Sequence, residues 1–319
     1  MAAVAASGPN ATAYLGPEGS FTYAAARHWA SPRDLIAADS VPVIVAGIED
    51  GRWSAGVIAI ENSVEGYVTP SLDSLIGAGN AVAVDQLDLP IEFDAFVRSG
   101  ADGVSRVTAH PHGLAQCKNF IRDHHLTPVP ASSNAAACRD LDDEAVALGP
   151  RICGELYGLT TVATSVQDFA GARTRFLLVT RRDAARERLG TRGAGAGAEP
   201  ALGWSTMLAI TPVVTGPGVL ARIAGAFGAR GVNMSSLITR PLKALSGKYV
   251  FIVTCDGKPG DPPVASLIAQ LLDAGDSVKT LGVFPSVEDL QAQVSSDRIP
   301  PGSVVAASTA AERTRGLLW

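Results

Sequence analysis

Short apolar runs alternate with stretches whose apolar residues recur at helical spacing. Residues 13–15 form a brief apolar strand that ends at Gly16-Pro17, and Ser20 or Thr22 can cap a helix over 23–29. A buried-type strand over 57–60 is stopped by the polar Glu61-Asn62-Ser63, and a helix follows over 68–76. Next come a strand at 104–109, an amphipathic helix at 113–124, a strand at 145–148, a helix at 151–157 and a strand at 176–180. This alternation predicts α/β layers with mostly parallel pairing.

The pattern breaks at 181–203, RRDAARERLGTRGAGAGAEPALG, where charges give way to Gly/Ala alternation. Such a stretch has little to bury and is expected to be a linker. Beyond it, strand 205–211, helix 218–228, strands 233–240 and 248–255, helix 264–272 and strand 278–284 give the order βαββαβ of a ferredoxin-like unit. The expected organisation is a first domain over 12–182, a linker over 183–203, a second domain over 204–286 and a tail over 287–319 of unassigned role.

Composition narrows the possibilities. Of 319 residues 47% are hydrophobic and 18% charged, enough apolar material for packed cores. The net charge of −5 argues against a protein that binds nucleic acid by neutralising phosphates. No apolar run reaches the ~20 residues that span a bilayer, and the N-terminal stretch lacks a secretory pattern. Four cysteines, Cys117, Cys138, Cys153 and Cys255, are widely spaced, as expected of reduced thiols in the cytoplasm.

Polar and glycine-rich clusters interrupt the apolar pattern, each at a strand end, where open α/β sheets bind ligands. YLGPEGSF, with Glu18 and Gly19, is either an ordinary βα turn or a helix start whose amides suit an anion. In IENSVEG, Asn62 and Ser63 either cap a helix or donate to a carboxylate, and Glu61 and Glu65 are acids or face solvent. HPHGLAQC places two histidines two residues apart with no third ligand at a sensible spacing, so a turn is preferred to a metal site. ASSNAAA, with Ser132 and Ser133, has the same capping character. In RTRFLLV, Thr174 could donate a proton to a departing oxygen and Arg175 could grip a carboxylate; alone, the segment reads as a strand edge. Together the clusters describe an anion-binding cleft without metal, thiol nucleophile or dinucleotide fingerprint, and predict no cofactor.

YLGPEGSF, GVIAIENSVEG, TPSLDSL, HPHGLAQC, ELYGL and TRFLLV, in this order, resemble the prephenate dehydratase family. GPGVLARIAGAFGARGVNMSSLITRP resembles the ACT regulatory domain that follows it in that family. The resemblance implies a two-lobed, periplasmic-binding-protein-like catalytic domain with substrate between the lobes, followed by a ferredoxin-like ACT domain. It implies conversion of prephenate to phenylpyruvate, carbon dioxide and water in phenylalanine biosynthesis, with Thr174 as proton donor and Arg175 and Phe176 completing the motif. Glu18, Gly19, Asn62, Ser63, Ser132 and Ser133 would line the cleft. Phenylalanine is the implied effector, held near Gly216, Gly218, Val219, Leu220, Thr239 and Arg240, in a homodimer or homotetramer.

The chain departs from the family pattern at Ala172, Tyr67, His112, Gly149-Pro150-Arg151 and Ile238. Where the family has glutamate, Ile238 leads to an expectation of weakened or altered phenylalanine control. Other readings are a non-aromatising prephenate decarboxylase, an arogenate dehydratase and a non-catalytic ACT amino-acid sensor.

Overall fold

A computed structural model describes residues 10–191, 203–242, 248–286, 300–301 and 303–318. Two units separate along the chain, Met1–Val287 and Glu288–Trp319.

The first unit opens with β1 (Thr12–Leu15), α1 (Phe21–Ala26), β2 (Leu35–Ala38), α2 (Val41–Glu49), β3 (Ala55–Asn62), β4 (Gly66–Tyr67), α3 (Thr69–Gly77) and β5 (Ala81–Pro90). Serine side chains start the first two helices, Ser20 accepting from the Tyr23 amide and Ser40 from the Val43 amide. Gly56 lets α2 lie close on β3, since a Cβ there would stand 2.4 Å from Ile44 Cγ2.

The chain then crosses into a second lobe: β6 (Asp94–Val97), β7 (Arg106–Ala109), α4 (Pro111–Gln116), α5 (Lys118–Asp123), β8 (Thr127–Pro130), α6 (Asn134–Arg139), β9 (Ala145–Gly149), α7 (Ile152–Tyr157) and β10 (Thr160–Ala163). Their sheet has the order β10-β6-β9-β7-β8. β11 (Arg173–Arg181) returns to the first lobe and lies antiparallel between β3 and β5. Two crossings between lobes give the two-lobed architecture expected.

After α8 (Arg182–Thr191) come β12 (Gly203–Thr211), α9 (Val219–Gly228), β13 (Met234–Pro241), β14 (Tyr249–Asp256), α10 (Pro262–Asp273) and β15 (Ser277–Ser286), in the expected βαββαβ order. Their strands are arranged β13-β14-β12-β15, and β15 pairs with β5 through Gly282 and Ala83, so one sheet runs through both regions. Among the described residues its edge strand β13 is paired on one side only. One core joins Ile58, Ile60, Leu177 and Val179 of the first lobe to Met207, Ile252 and Leu281 of the βαββαβ unit. A second, with Ile223, Phe227, Leu267 and Leu271, fills the space under α9 and α10.

Several expectations change. Pairing is mixed rather than mostly parallel, because β11 returns against its neighbours and β6 opposes both β9 and β10. The helix expected over 113–124 breaks at Cys117, and Asp168 starts α5 by accepting the Lys118 and Asn119 amides at 2.9 Å each. The stretch expected to be linker opens as α8, whose Ala185 is buried; residues 192–202 lie outside the described residues. Within the second unit, α11 (Ala310–Leu317) starts with a capping box between Thr309 and Glu312. Among the described residues no helix is long and apolar enough to cross a membrane, and all four cysteines are buried free thiols.

Candidate active site

Antiparallel pairing of β3 and β11 sets Thr174 opposite Asn62. The Asn62 side-chain oxygen accepts from the Val64 and Glu65 amides, at 2.9 and 3.0 Å. That fixes the orientation of the amide, because its NH2 group must then point away from the loop. Nδ2 donates to Thr174 Oγ1 at 2.9 Å. A hydroxyl that accepts in this way keeps its own proton for another acceptor. Thr174 is 7% exposed, so its rotamer is held by packing as well as by the bond. Ser63 locks the end of the strand pair: its amide donates to the Arg173 carbonyl and its Oγ accepts from the Arg173 amide, both at 2.9 Å.

Strand alternation sends Arg175 to the opposite face of the sheet from Thr174. There its Nε and Nη2 meet Asp88 Oδ1 and Oδ2 at 3.0 and 2.9 Å, and Nη1 lies 3.6 Å from Glu61 Oε2. The fork expected to grip a substrate carboxylate thus holds a carboxylate of its own chain. Phe176, expected in the site, is 1% exposed and packs with Tyr14, Tyr23 and Leu178 in the core. Its ring contributes to that core rather than to an open surface.

The Glu18-Gly19 turn is tied to α7. Tyr157 donates its hydroxyl to the Glu18 carbonyl at 2.7 Å, and the Cys153 thiol donates to the Gly19 carbonyl at 3.3 Å. Burial, helped by Cys153 and Glu18, pushes the Tyr157 phenol up to about 12, so it remains a donor. Gly19 has φ +81°, a left-handed conformation, with Tyr157 and Cys153 close against it.

A second link between lobes joins Glu65, beside Asn62, to His112 on α4, Oε1 to Nδ1 at 3.2 Å. The His110 amide donates to Asn134 Oδ1 at 2.9 Å, and its ring nitrogen accepts from the His112 amide at 3.2 Å. Ser133 caps α6 through the Ala136 amide. Ser132 lines a cavity of about 270 Å³ on the second lobe with Arg106, Thr108 and Asp140. The structure therefore brings Asn62, Ser63 and Thr174 together directly, whereas Ser132 and Ser133 belong to the second lobe. Sequence reading missed Asp88, Tyr157 and Asn134 as partners, since each meets its site residue only through the fold.

In the βαββαβ unit, Gly218 precedes α9 with φ +86°, and Val219 and Leu220 form its first turn. Gly216 is also left-handed. Lys248 Nζ donates to Thr215 Oγ1 at 2.9 Å, tying this loop to the start of β14, which pairs with the end of β13. Thr239 is exposed, but Arg240 makes a two-pronged pair with Asp73 on α3, at 3.0 and 2.9 Å. Arg240, expected near the effector, is tied here to the first lobe, the side to which the even-numbered side chains of β13 turn. Ile238 on the same face packs into the shared core.

The model of the family described as prephenate dehydratase matches residues 12–184. The chain is 32% identical over 293 residues to a prephenate dehydratase of Mycolicibacterium smegmatis, covering 86% of this chain and 90% of that one. The chain belongs to the prephenate dehydratase family. A solved structure of prephenate dehydratase from Arthrobacter aurescens in complex with L-Phe is 30% identical, with a TM-score of 0.73 over 89% of this chain and 92% of that chain. Another, described as GqqA, a quorum-quenching acylase, is 26% identical with a TM-score of 0.74 over 87% and 98%. The family's range covers both strands that hold Asn62 and Thr174.

Proposed function

We propose that the chain is a carbon–oxygen lyase, a prephenate dehydratase whose residues 204–286 form an ACT regulatory domain behind a catalytic domain over 12–182. The single observation that carries this reading is the Thr174 hydroxyl, fixed by Asn62 with its proton unspent. In the proposed reaction the ring carboxylate leaves prephenate as carbon dioxide, and its electron pair enters the ring. The ring carbon–oxygen bond breaks, and Thr174 gives its proton to the departing oxygen, which leaves as water; solvent then restores the threonine proton. Aromatisation drives the reaction, so the protein supplies orientation and one proton. Helix-start amides near Glu18-Gly19 and Ser133, with Ser63, suit the two substrate carboxylates.

The L-Phe complex of a relative 30% identical supports phenylalanine as the effector, near the loop of Gly216, Gly218, Val219 and Leu220 with Thr239. A homodimer or homotetramer, in the cytoplasm, completes the proposal. Incubation of the protein with prephenate tests it: phenylpyruvate, read by its absorbance in base, is the expected product. A dihydro product by mass would favour the non-aromatising decarboxylase, and turnover of arogenate alone would favour arogenate dehydratase.

A further inference from the structure

Four side chains form a ladder across neighbouring strands of the main sheet. Asp88 on β5 faces Arg175 on β11, Arg175 faces Glu61 on β3, and Glu61 faces Tyr67 on β4. The first step is the two-pronged ion pair, and the second brings guanidinium and carboxylate to 3.6 Å. The Tyr67 phenol is raised by burial and senses both Glu61 and Arg175. Tyr67, at the end of the ladder, packs against the core that the first lobe shares with the βαββαβ unit, and Arg175 adjoins Thr174 in sequence.

At its end Tyr67 meets β13. Its ring and Ile238 both pack against the shared core, and Ser236 is near enough to the phenol to draw its pKa down against the rise from burial. Ser236 Oγ is buried and stops short of a well-formed hydrogen bond. A buried hydroxyl in that condition is costly, so a small shift that completes the contact is favoured. Among the described residues the β13 backbone is paired with β14 alone, and Arg240 ties the strand to Asp73 of α3. β13 also carries Thr239 and Arg240, at the end of the sheet where Lys248 holds the Thr215–Gly218 loop.

We propose that Tyr67 is a positioning residue that couples the effector loop to Thr174, with Ser236 of β13 pressing on Tyr67 and the Glu61–Arg175–Asp88 ladder passing the change to β11. This rests on the reading of the chain as a phenylalanine-regulated prephenate dehydratase. Bound effector shifts β13, the Tyr67–Ser236 contact closes, and Glu61 and Arg175 rearrange directly behind the proton donor. Tyr67 touches no substrate, so its role shows in regulation rather than in chemistry.

The test compares the full-length protein with Tyr67→Phe and Ser236→Ala. Prephenate kinetics are measured with and without L-phenylalanine, and L-phenylalanine binding is measured by calorimetry. Without effector both variants should keep kcat and KM within about twofold, and both should bind phenylalanine as the wild type does. The ratio of kcat/KM without and with saturating phenylalanine, about fivefold or more for a typical allosteric coupling, should fall toward one. Full wild-type inhibition in both variants overturns the coupling while leaving the proposed function intact. A wild-type protein that neither turns over prephenate nor binds phenylalanine overturns that function and the coupling with it.

Discussion

Asn62 and Thr174, 112 positions apart in the chain, face each other across two antiparallel strands and share a 2.9 Å hydrogen bond in which the amide donates. The loop amides of Val64 and Glu65 hold the other end of the Asn62 side chain, so the amide cannot turn over without losing two bonds. The threonine hydroxyl therefore has one lone pair occupied and its proton directed elsewhere.

Replacing Asn62 should reveal this dependence. Asn62→Ala removes one of the two restraints on the Thr174 rotamer and loosens the 63–65 loop, so kcat for prephenate should drop by about 10–100-fold, within the range of a misplaced proton donor. Steady-state kinetics decide it: a variant within twofold of wild type would remove Asn62 from the site.

Gly19→Ala tests the turn. Its φ of +81° disfavours any Cβ, and one built there stands 3.1 Å from Tyr157 Oη and 3.2 Å from Cys153 Sγ. The left-handed conformation alone costs about 1–2 kcal/mol for an L side chain. The turn should shift away from α7, raising KM for prephenate more than it lowers kcat. Unchanged KM and unchanged urea midpoint would show that the turn tolerates the methyl group.

Asp73→Asn should weaken the joint between α3 and β13. Both partners of its pair with Arg240 are about one-quarter exposed, at 27% and 25%. Losing one partner of a half-buried, two-pronged pair should cost about 1–2 kcal/mol in urea unfolding, less than for a fully buried pair. An unchanged unfolding curve would mean the pair contributes no net stability.

His110 gives a pH signature. Burial, with the nearby His112, holds its imidazole below the ordinary 6.5, against an opposing pull from Glu65. The folded protein then binds this proton more weakly than the unfolded chain, so stability falls as pH drops below about 6.5 and is fully present above it. Protonation also cancels the ring nitrogen's acceptance of the His112 amide. His110→Asn keeps a capping acceptor and should flatten melting temperature against pH below about pH 6.5, leaving pH 8 unchanged. Equal slopes for both proteins would contradict this.

Local chemistry was legible where the chain carries it locally. A cap at Ser20 or Thr22, the capping character of Ser132-Ser133, the strand over 176–180 and the βαββαβ order follow from spacing and side-chain type. What crosses the fold was not. Asp168 starts α5 from fifty positions away, which no periodicity over 113–124 could reveal. A guanidinium beside a hydroxyl suggests a substrate grip at Arg175. Its occupation by Asp88 depends on β5 being its neighbour in the sheet, and β5 was absent from the sequence reading. Phe176 was carried into the site with its motif, and only the sheet's two cores show which way it points.

The most direct measurement is prephenate turnover by Thr174→Val beside wild type, with substrate binding measured on both. Valine keeps the shape and removes the proton. Phenylpyruvate is expected from the wild type, with a kcat lower by about 10²–10⁴-fold in the variant and nearly unchanged prephenate affinity. A variant that retains more than half of wild-type kcat would contradict it.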